Sequence, residues 1–325
     1  MTKRAVITGV GAHLPEKILT NDDIAKIVDT SNEWIVDRTG IRQRHIAADD
    51  ETTSDLAIKA GARAIAAAGL SGHDIDMFII ATFTPDLTFP ATAARVQAAL
   101  GSPGVPAFDL QAVCSGFVYA LAVANNFIVA GQSKNTLLIG CETVSRLIDW
   151  KDRGTCVLFG DGAGAVVLKA EEGGQGTSKD RGVLSTHLFS DGSMHDYLCS
   201  DGGPSSTQTT GYIQMQGQEV YRHAVVNMAQ AIEEAVTVNG VGVDEIDWLV
   251  PHQASKRIID GTTKRLGFRP EKVIVTVDSH ANTSAASIPL ALAQGVNDGR
   301  IKPGELVLMV AMGGGFTWGS ALVRM

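Results

Sequence analysis

Short runs of neighbouring apolar residues, at 77–80, 136–140, 246–251 and 306–310, alternate along the chain with longer stretches whose apolar residues recur every three or four positions. The first pattern predicts strands buried on both faces, and the second predicts helices, here over residues 54–68, 115–130, 219–238 and 284–297. Such strands, separated by helices, imply a mostly parallel sheet covered on both sides. The class is α/β.

The pattern also repeats. Residues 57–80 laid over residues 228–251 without a gap bring together two copies of a helix, a glycine stop, an acidic turn and a buried strand. Nearly the same offset pairs residues 105–110 with 274–279, and 136–140 with 306–310. A slightly different one pairs residues 162–168 with 318–323. Four matches in one order indicate an internal duplication; the plainer alternative is loose similarity among alanine-rich helices. We expect two α/β halves packed face to face, residues 1–171 and 172–325, joined through the weakly patterned run 171–181. A polar run at 200–211 reads as an exposed loop.

Composition narrows the class. The chain has 325 residues, 45% apolar and 19% charged, enough for a large core. No stretch approaches the ~20 apolar residues of a membrane span, and the start reads directly into a strand, so a cytoplasmic protein without a leader is expected. The cysteines at 114, 141, 156 and 199 show neither metal spacing nor disulfide density, so free thiols and no metal are expected. A net charge of −8 argues against general nucleic-acid or membrane affinity, so an acidic partner must dock on a local basic patch.

Ligands of open α/β folds gather at the carboxyl ends of strands. Cys114 follows the run ending near Leu110, His252 follows residues 246–251, and Asn282 follows an expected strand at 273–281. At a helix start, the amides and dipole facing Cys114 favour its thiolate. Thiol, imidazole and amide together suit acyl transfer, in which a thiolate attacks a thioester and donors steady the oxyanion. Taken singly, each has a plainer alternative: a packing cysteine, a core or capping histidine, and a helix-starting asparagine. The glycines at 313–315 follow another strand and either offer an amide to an oxyanion or make a tight turn. Those at 9–11 and 160–164 lack the context of a dinucleotide loop and read as packing or turn glycines. On the helix predicted over 254–266, Ile258 and Leu266 face inward while Arg257 and Lys264 share an outer face.

The segments Asp-Leu-Gln-Ala-Val-Cys114-Ser-Gly-Phe, Val-Pro-His252-Gln-Ala, His-Ala-Asn282-Thr-Ser-Ala-Ala-Ser and Gly313-Gly-Gly-Phe-Thr-Trp-Gly together resemble β-ketoacyl-acyl-carrier-protein synthase III, of the thiolase-like superfamily. The likeness runs end to end and includes residues 31–45 and 152–155. It implies a five-layer α-β-α-β-α fold and the initiating condensation of dissociated (type II) fatty acid synthesis. Cys114 would take an acyl primer, typically acetyl, from coenzyme A. His252 and Asn282 would hold the malonyl thioester carbonyl on acyl carrier protein during decarboxylation, and the resulting carbanion would attack acyl-Cys114. The amides of Cys114 and Gly314 would form the oxyanion hole. Trp34, Arg38 and Arg153 match positions that grip the adenine end of coenzyme A, and Gly217 and Gln218 match pantetheine positions. Arg257, with Lys256 beside it, matches the site that meets the acidic carrier protein. Phe89 matches a residue that closes the partner's primer pocket across a homodimer, and Met312 lines the primer pocket. No cofactor is implied, since the coenzyme A thioester is a substrate.

The chain departs from the family pattern at Ser255 and Gln218, where asparagine is frequent, at Lys256, where an apolar residue is usual, and at Met312, where phenylalanine is frequent. These bear on specificity, since Cys114, His252 and Asn282 are intact. Two enzymatic alternatives are a superfamily member that condenses coenzyme A thioesters or makes a secondary metabolite, and a papain-like Cys-His-Asn hydrolase, against which the duplication argues. The non-enzymatic alternative is a silent carrier-protein-binding homologue.

Overall fold

The computed structural model describes residues 3–325. Five strands lie side by side in one sheet, in the order Lys3–His13, Gly162–Glu172, Asn135–Glu142, Met77–Ala81 and Ala107–Leu110. A second sheet runs Gly182–Ser190, Thr317–Arg324, Leu306–Gly313 and Trp248–Pro251. In these orders both sheets pair antiparallel, antiparallel, then parallel. Three of the four matched pairs of stretches thus occupy matched places. The chain leaves the first sheet at Glu172 and enters the second at Gly182.

Two details differ from expectation. The sheets are mixed rather than mostly parallel: in the second, Leu306–Gly313 returns at once as Thr317–Arg324, and a hairpin is necessarily antiparallel, while in the first Gly162–Glu172 runs antiparallel to both of its neighbours. Residues 273–281 do not form a strand either: Val273 makes a single parallel bridge to Leu249, and the chain then turns into the short helix Val277–His280. Buried Gln253 explains the loss. Its Oε1 accepts from the Thr276 and Val277 amides at 2.8 and 3.1 Å, and its Nε2 donates to the Pro251 and Ile274 carbonyls at 2.8 and 3.1 Å. One side chain satisfies backbone groups that a fifth strand would have paired.

The helices Gly116–Val129 and Ser287–Asn297 lie between the sheets and touch both. Their apolar residues are buried all round, as a central layer demands: Phe117, Leu121, Ile288 and Leu292 join Ile79, Leu138, Val307 and Met309 in one core. Thr53–Ala67 covers the outer face of the first sheet, and Gly217–Asn239 covers that of the second. Five layers result. Glycine sets the spacing where the first strand meets Thr53–Ala67: a Cβ on Gly9 or Gly11 would stand 2.2 Å from the carbonyl oxygen of Ala64 or Ala60. These are packing glycines. The polar run at 200–211 is mostly exposed, between the strands Leu198–Ser200 and Ile213–Met215. Among the described residues, no helix is long and apolar enough to cross a membrane.

Candidate active site

The strand Ala107–Leu110 ends four residues before Cys114, which sits in the tight turn Val113–Ser115 that opens the helix Gly116–Val129. Val113 has φ 48°, a left-handed conformation that costs a valine roughly 1–3 kcal/mol and turns the chain sharply before the thiol. The second half of the chain holds this turn. Thr317 Oγ1 and Ser115 Oγ lie 2.7 Å apart, and each donates to the Ala112 carbonyl, at 3.1 and 2.8 Å. A Cβ on Gly313 would stand 2.6 Å from the Cys114 nitrogen, so glycine is what brings the 313–317 turn onto the Cys114 amide. The glycine run is therefore both the tight turn and the neighbour of the cysteine.

Cys114 is 5% exposed. Burial pushes its thiol up to about 12; a hydrogen bond from Ser284 pulls it down, and the nearby Glu142 carboxylate adds to the rise. The thiolate expected at a helix start is thus opposed by desolvation, and the free enzyme holds a thiol.

His252 follows the strand Trp248–Pro251, with its amide on the Val310 carbonyl at 2.8 Å. Burial drives the imidazole down to about 3, so it is neutral throughout the physiological range, and its Nδ1 has no hydrogen-bond partner among the described residues. Through Gln253, the next residue, the His252 loop is tied to the backbone at 274–277, from which the chain climbs to Asn282. Asn282 bridges to Phe159, its amide bonded to Leu158 O and its carbonyl to Gly160 N, both at 3.0 Å. Its Oδ1 accepts from the Ser284 amide at 2.9 Å, which fixes the side-chain amide so that Nδ2 is the end left to donate. Ser284 Oγ lies 3.5 Å from Cys114 Sγ. A buried thiol, an amide donor oriented through Ser284 beside it, and a neutral imidazole whose loop is tied through Gln253 to the backbone leading to Asn282 are the types of group that acyl transfer through a covalent thioester uses.

Residues 108–192 match the family described as 3-oxoacyl-[acyl-carrier-protein] synthase III, and residues 236–325 match its C-terminal part. The beta-ketoacyl-[acyl-carrier-protein] synthase III of Paramagnetospirillum magneticum is 63% identical over 325 residues, spanning 100% of both chains. The chain belongs to the 3-oxoacyl-[acyl-carrier-protein] synthase III family. The corresponding protein of Rhodospirillum centenum is 62% identical over 324 residues and also spans 100% of both chains. The crystal structure of 3-oxoacyl-[acyl-carrier-protein] synthase III from Aquifex aeolicus VF5 matches with a TM-score of 0.93 at 46% identity, covering 99% of this chain and 100% of that one. The fold is thiolase-like, and the protein is a condensing acyltransferase of the kind that initiates fatty acid synthesis.

The other positions named in the sequence fall on several elements. Arg153 places its guanidinium carbon 4.9 Å from the centre of the Trp34 ring and donates to the Asp29 carbonyl at 3.0 Å. Arg38 is exposed, one turn beyond Trp34 on the helix Asn32–Thr39. Gly217 and Gln218 are exposed at the start of Gly217–Asn239. The Ser255 hydroxyl accepts from the Ile258 amide at 3.3 Å and so caps the helix Lys256–Arg265, a task that asparagine performs equally well. On that helix Ile258 is buried and Leu266, just past its end, is half-buried, while Arg257 and Lys264 are exposed. Lys256 pairs with Asp260, whereas Arg257 has no ion pair among the described residues. Met312 is buried at the end of its strand, with Sδ 3.8 Å from Asn227 Nδ2. Phe89 is 82% exposed.

Sequence reasoning passed over three residues. Gln253 and Ser284 stood inside the quoted motifs but were read only as neighbours of His252 and Asn282. Glu142 follows the apolar run 137–141 at the end of the strand Asn135–Glu142, and that anomaly was the available signal. Fully buried, it accepts the hydroxyls of Thr82 and Thr84 at 3.0 and 2.5 Å and the Phe83 and Thr84 amides at 3.2 Å each. It thereby anchors the base of the loop that carries Phe89. Burial raises its carboxyl from 4.5 to about 8, the four donors acting in the opposite direction.

Between those two values the folded state holds a proton that the unfolded chain has released. Stability contributed at Glu142 is therefore lost as pH rises from 4.5 to 8, at a limiting slope of roughly 1.4 kcal/mol per pH unit. Glu142→Gln is expected to flatten this dependence. Urea midpoints compared at pH 5 and pH 8 check it; equal slopes in variant and parent would show that Glu142 is already ionised in the fold.

Proposed function

We propose that the enzyme takes an acyl group, acetyl in the first instance, from acyl-coenzyme A onto Cys114 and condenses it with malonyl-acyl-carrier protein. The Cys114 thiol gives up its proton as its sulfur attacks the primer's thioester carbon, the bond from that carbon to the coenzyme A sulfur breaks, and coenzyme A takes up a proton and leaves as its thiol. The malonyl thioester then loses carbon dioxide. The electron pair of the broken carbon–carbon bond passes into an enolate whose oxygen accepts hydrogen bonds from neutral His252 and from Asn282 Nδ2. The enolate carbon attacks the acyl-Cys114 carbonyl, whose oxyanion is received by the Cys114 and Gly314 amides. Collapse expels the Cys114 thiolate, which takes a proton from solvent to restore the thiol, and gives 3-oxoacyl-acyl-carrier protein. No cofactor enters this scheme.

One observation carries this reading above all: Ser284 ties an amide of fixed orientation to the thiol, and the loop linked to the same backbone through Gln253 carries a neutral, buried imidazole. An enolate oxygen needs donors that hold no formal charge to lose, and preorganised donors of this type are worth ~10²–10³ in rate each. A cationic histidine would be costly here, since burial disfavours its charge.

The outer residues take the roles implied by the family. Trp34, Arg38 and Arg153 hold the adenine end of coenzyme A, by stacking and by charge, and Gly217 and Gln218 border the pantetheine path. Arg257, exposed and without an ion pair among the described residues, meets the acidic carrier protein, with Lys256 at its side. This local patch reconciles an acidic partner with a net charge of −8. The functional unit is a cytoplasmic homodimer in which Phe89 closes the partner's primer pocket and Met312 lines the enzyme's own, so short primers are preferred.

Steady-state condensation with malonyl-carrier protein tests this reading. Arg257→Glu is expected to raise KM for malonyl-carrier protein by about tenfold while leaving acetyl transfer from acetyl-coenzyme A unchanged. Equal use of malonyl-coenzyme A and malonyl-carrier protein by the parent enzyme would replace carrier-protein dependence with the alternative of condensation on coenzyme A.

A further inference from the structure

We propose that Ser284 is a catalytic residue: its hydroxyl donates to Cys114 Sγ and stabilises the thiolate both when it attacks the primer and when it leaves the acyl-enzyme. The proposal rests on the condensing reaction argued above and adds a group to its machinery. Ser284 Oγ lies 3.5 Å from Sγ, a hydrogen-bonding distance for sulfur. Both residues are buried, at 1% and 5% exposure. No other side chain hydrogen-bonds to Sγ among the described residues, and the Ser284 hydroxyl has no other partner there. The proton of that hydroxyl therefore has one acceptor, the sulfur.

The backbone shows that this placement is imposed. Ser284 has φ 50°, a left-handed conformation that a serine does not choose unaided. Two contacts hold it: its amide donates to Asn282 Oδ1 at 2.9 Å, and the Ala286 amide closes the following turn on the Thr283 carbonyl at 3.0 Å. The same Asn282 side chain thus serves two ends. Its Nδ2 is left for the enolate, and its Oδ1 holds the residue that faces the nucleophile.

A need for such a donor follows from the burial of Cys114. Desolvation opposes the thiolate, and a hydrogen bond to an anion is about twice as strong as one to a neutral acceptor. The contact is therefore weak to the resting thiol and to the acyl thioester, and strong whenever Sγ carries charge. Charge appears on Sγ twice per turnover, first before the bond to the acyl carbon forms and again when that bond breaks and returns the electron pair to sulfur. A donor that strengthens only in those states lowers both barriers.

The test is the pH dependence of Cys114 alkylation by iodoacetamide, read by mass spectrometry. It is measured in the parent, in Ser284→Ala and in Ser284→Gly, which also relieves the left-handed strain and so guards against a misfolded variant. Both variants are expected to move the alkylation profile to higher pH by about one unit and to slow acetyl transfer from acetyl-coenzyme A by about tenfold or more. Malonyl-carrier-protein decarboxylation, which uses His252 and Asn282, is expected to stay within a factor of two or so. An unmoved alkylation profile in both variants would overturn the proposal. A parallel loss of decarboxylation would overturn it too, showing that Ser284 acts by placing Asn282. If the parent fails to take acetyl while the profile still shifts, the Ser284 contact stands and the condensing reaction falls.

Discussion

Replacing Cys114 by alanine removes the acyl-enzyme and lowers condensation by at least about 1,000-fold, while decarboxylation of malonyl-carrier protein persists. The first effect is large because no other thiol stands at the site, and a covalent route has no partial substitute once its nucleophile is gone. The second follows from the division of labour. In the proposed scheme His252 and Asn282 hold the enolate oxygen, and among the described residues neither hydrogen-bonds to Cys114. Folding is little disturbed, because alanine fills most of the buried space and releases one weak contact from Ser284. Incubation with acetyl-coenzyme A followed by intact-mass and peptide mass spectrometry reads the first effect, and release of carbon dioxide reads the second. An acetyl adduct that survives Cys114→Ala would sink the assignment of the nucleophile.

Replacing His252 by alanine has the converse result: decarboxylation and condensation fall by about 10²–10³, and acetylation of Cys114 remains measurable. His252 is the cleaner of the two donors to remove, since Asn282→Ala would also strip the buried Ser284 amide of its acceptor and cost roughly 1–3 kcal/mol of stability. The pH dependence is a second readout. Burial holds the His252 pKa down to about 3 from 6.5, so the donor keeps its proton and its neutrality from pH 5 to 8, and decarboxylation carries no inflection from this residue there. The same shift bears on stability. The unfolded chain protonates near 6.5 while the folded one resists, so the stability linked to His252 is lost as pH falls from 6.5 toward 3. A decarboxylation profile with an inflection near pH 6.5 that vanishes in His252→Ala would identify a cationic histidine and refute the neutral donor.

Most of the architecture was open to reading. Burial on both faces writes itself as consecutive apolar residues, so the runs at 77–80, 136–140 and 306–310 announced central strands. A repeated order of such runs announced two matching sheets. The failure at 273–281 has a local cause that no periodicity encodes: the Gln253 side chain takes over hydrogen bonds that a neighbouring strand would have supplied. Strand direction was misjudged for a related reason. An apolar run looks the same whether its neighbour lies parallel or antiparallel, and only the short 313–317 turn forced the hairpin.

At the site, Cys114, His252 and Asn282 were legible as candidates because their side-chain types and their places in the motifs belong to the chain itself, and the family followed from the same motifs. Their ionisation was not, because a pKa depends on what surrounds a group from every side. The helix start that favours a thiolate in isolation is outweighed once the thiol is enclosed. Ser284 was hidden for the same reason, since in sequence it is 170 residues from Cys114. Sequence alone determined the α/β class and the family, both of which are set by side-chain type and order, and it singled out Cys114, His252 and Asn282 as the candidate reacting groups. Tertiary structure decided which group is neutral, which donor meets the sulfur and which strand is replaced by a glutamine, because those depend on distance and desolvation between parts of the chain that are remote along it.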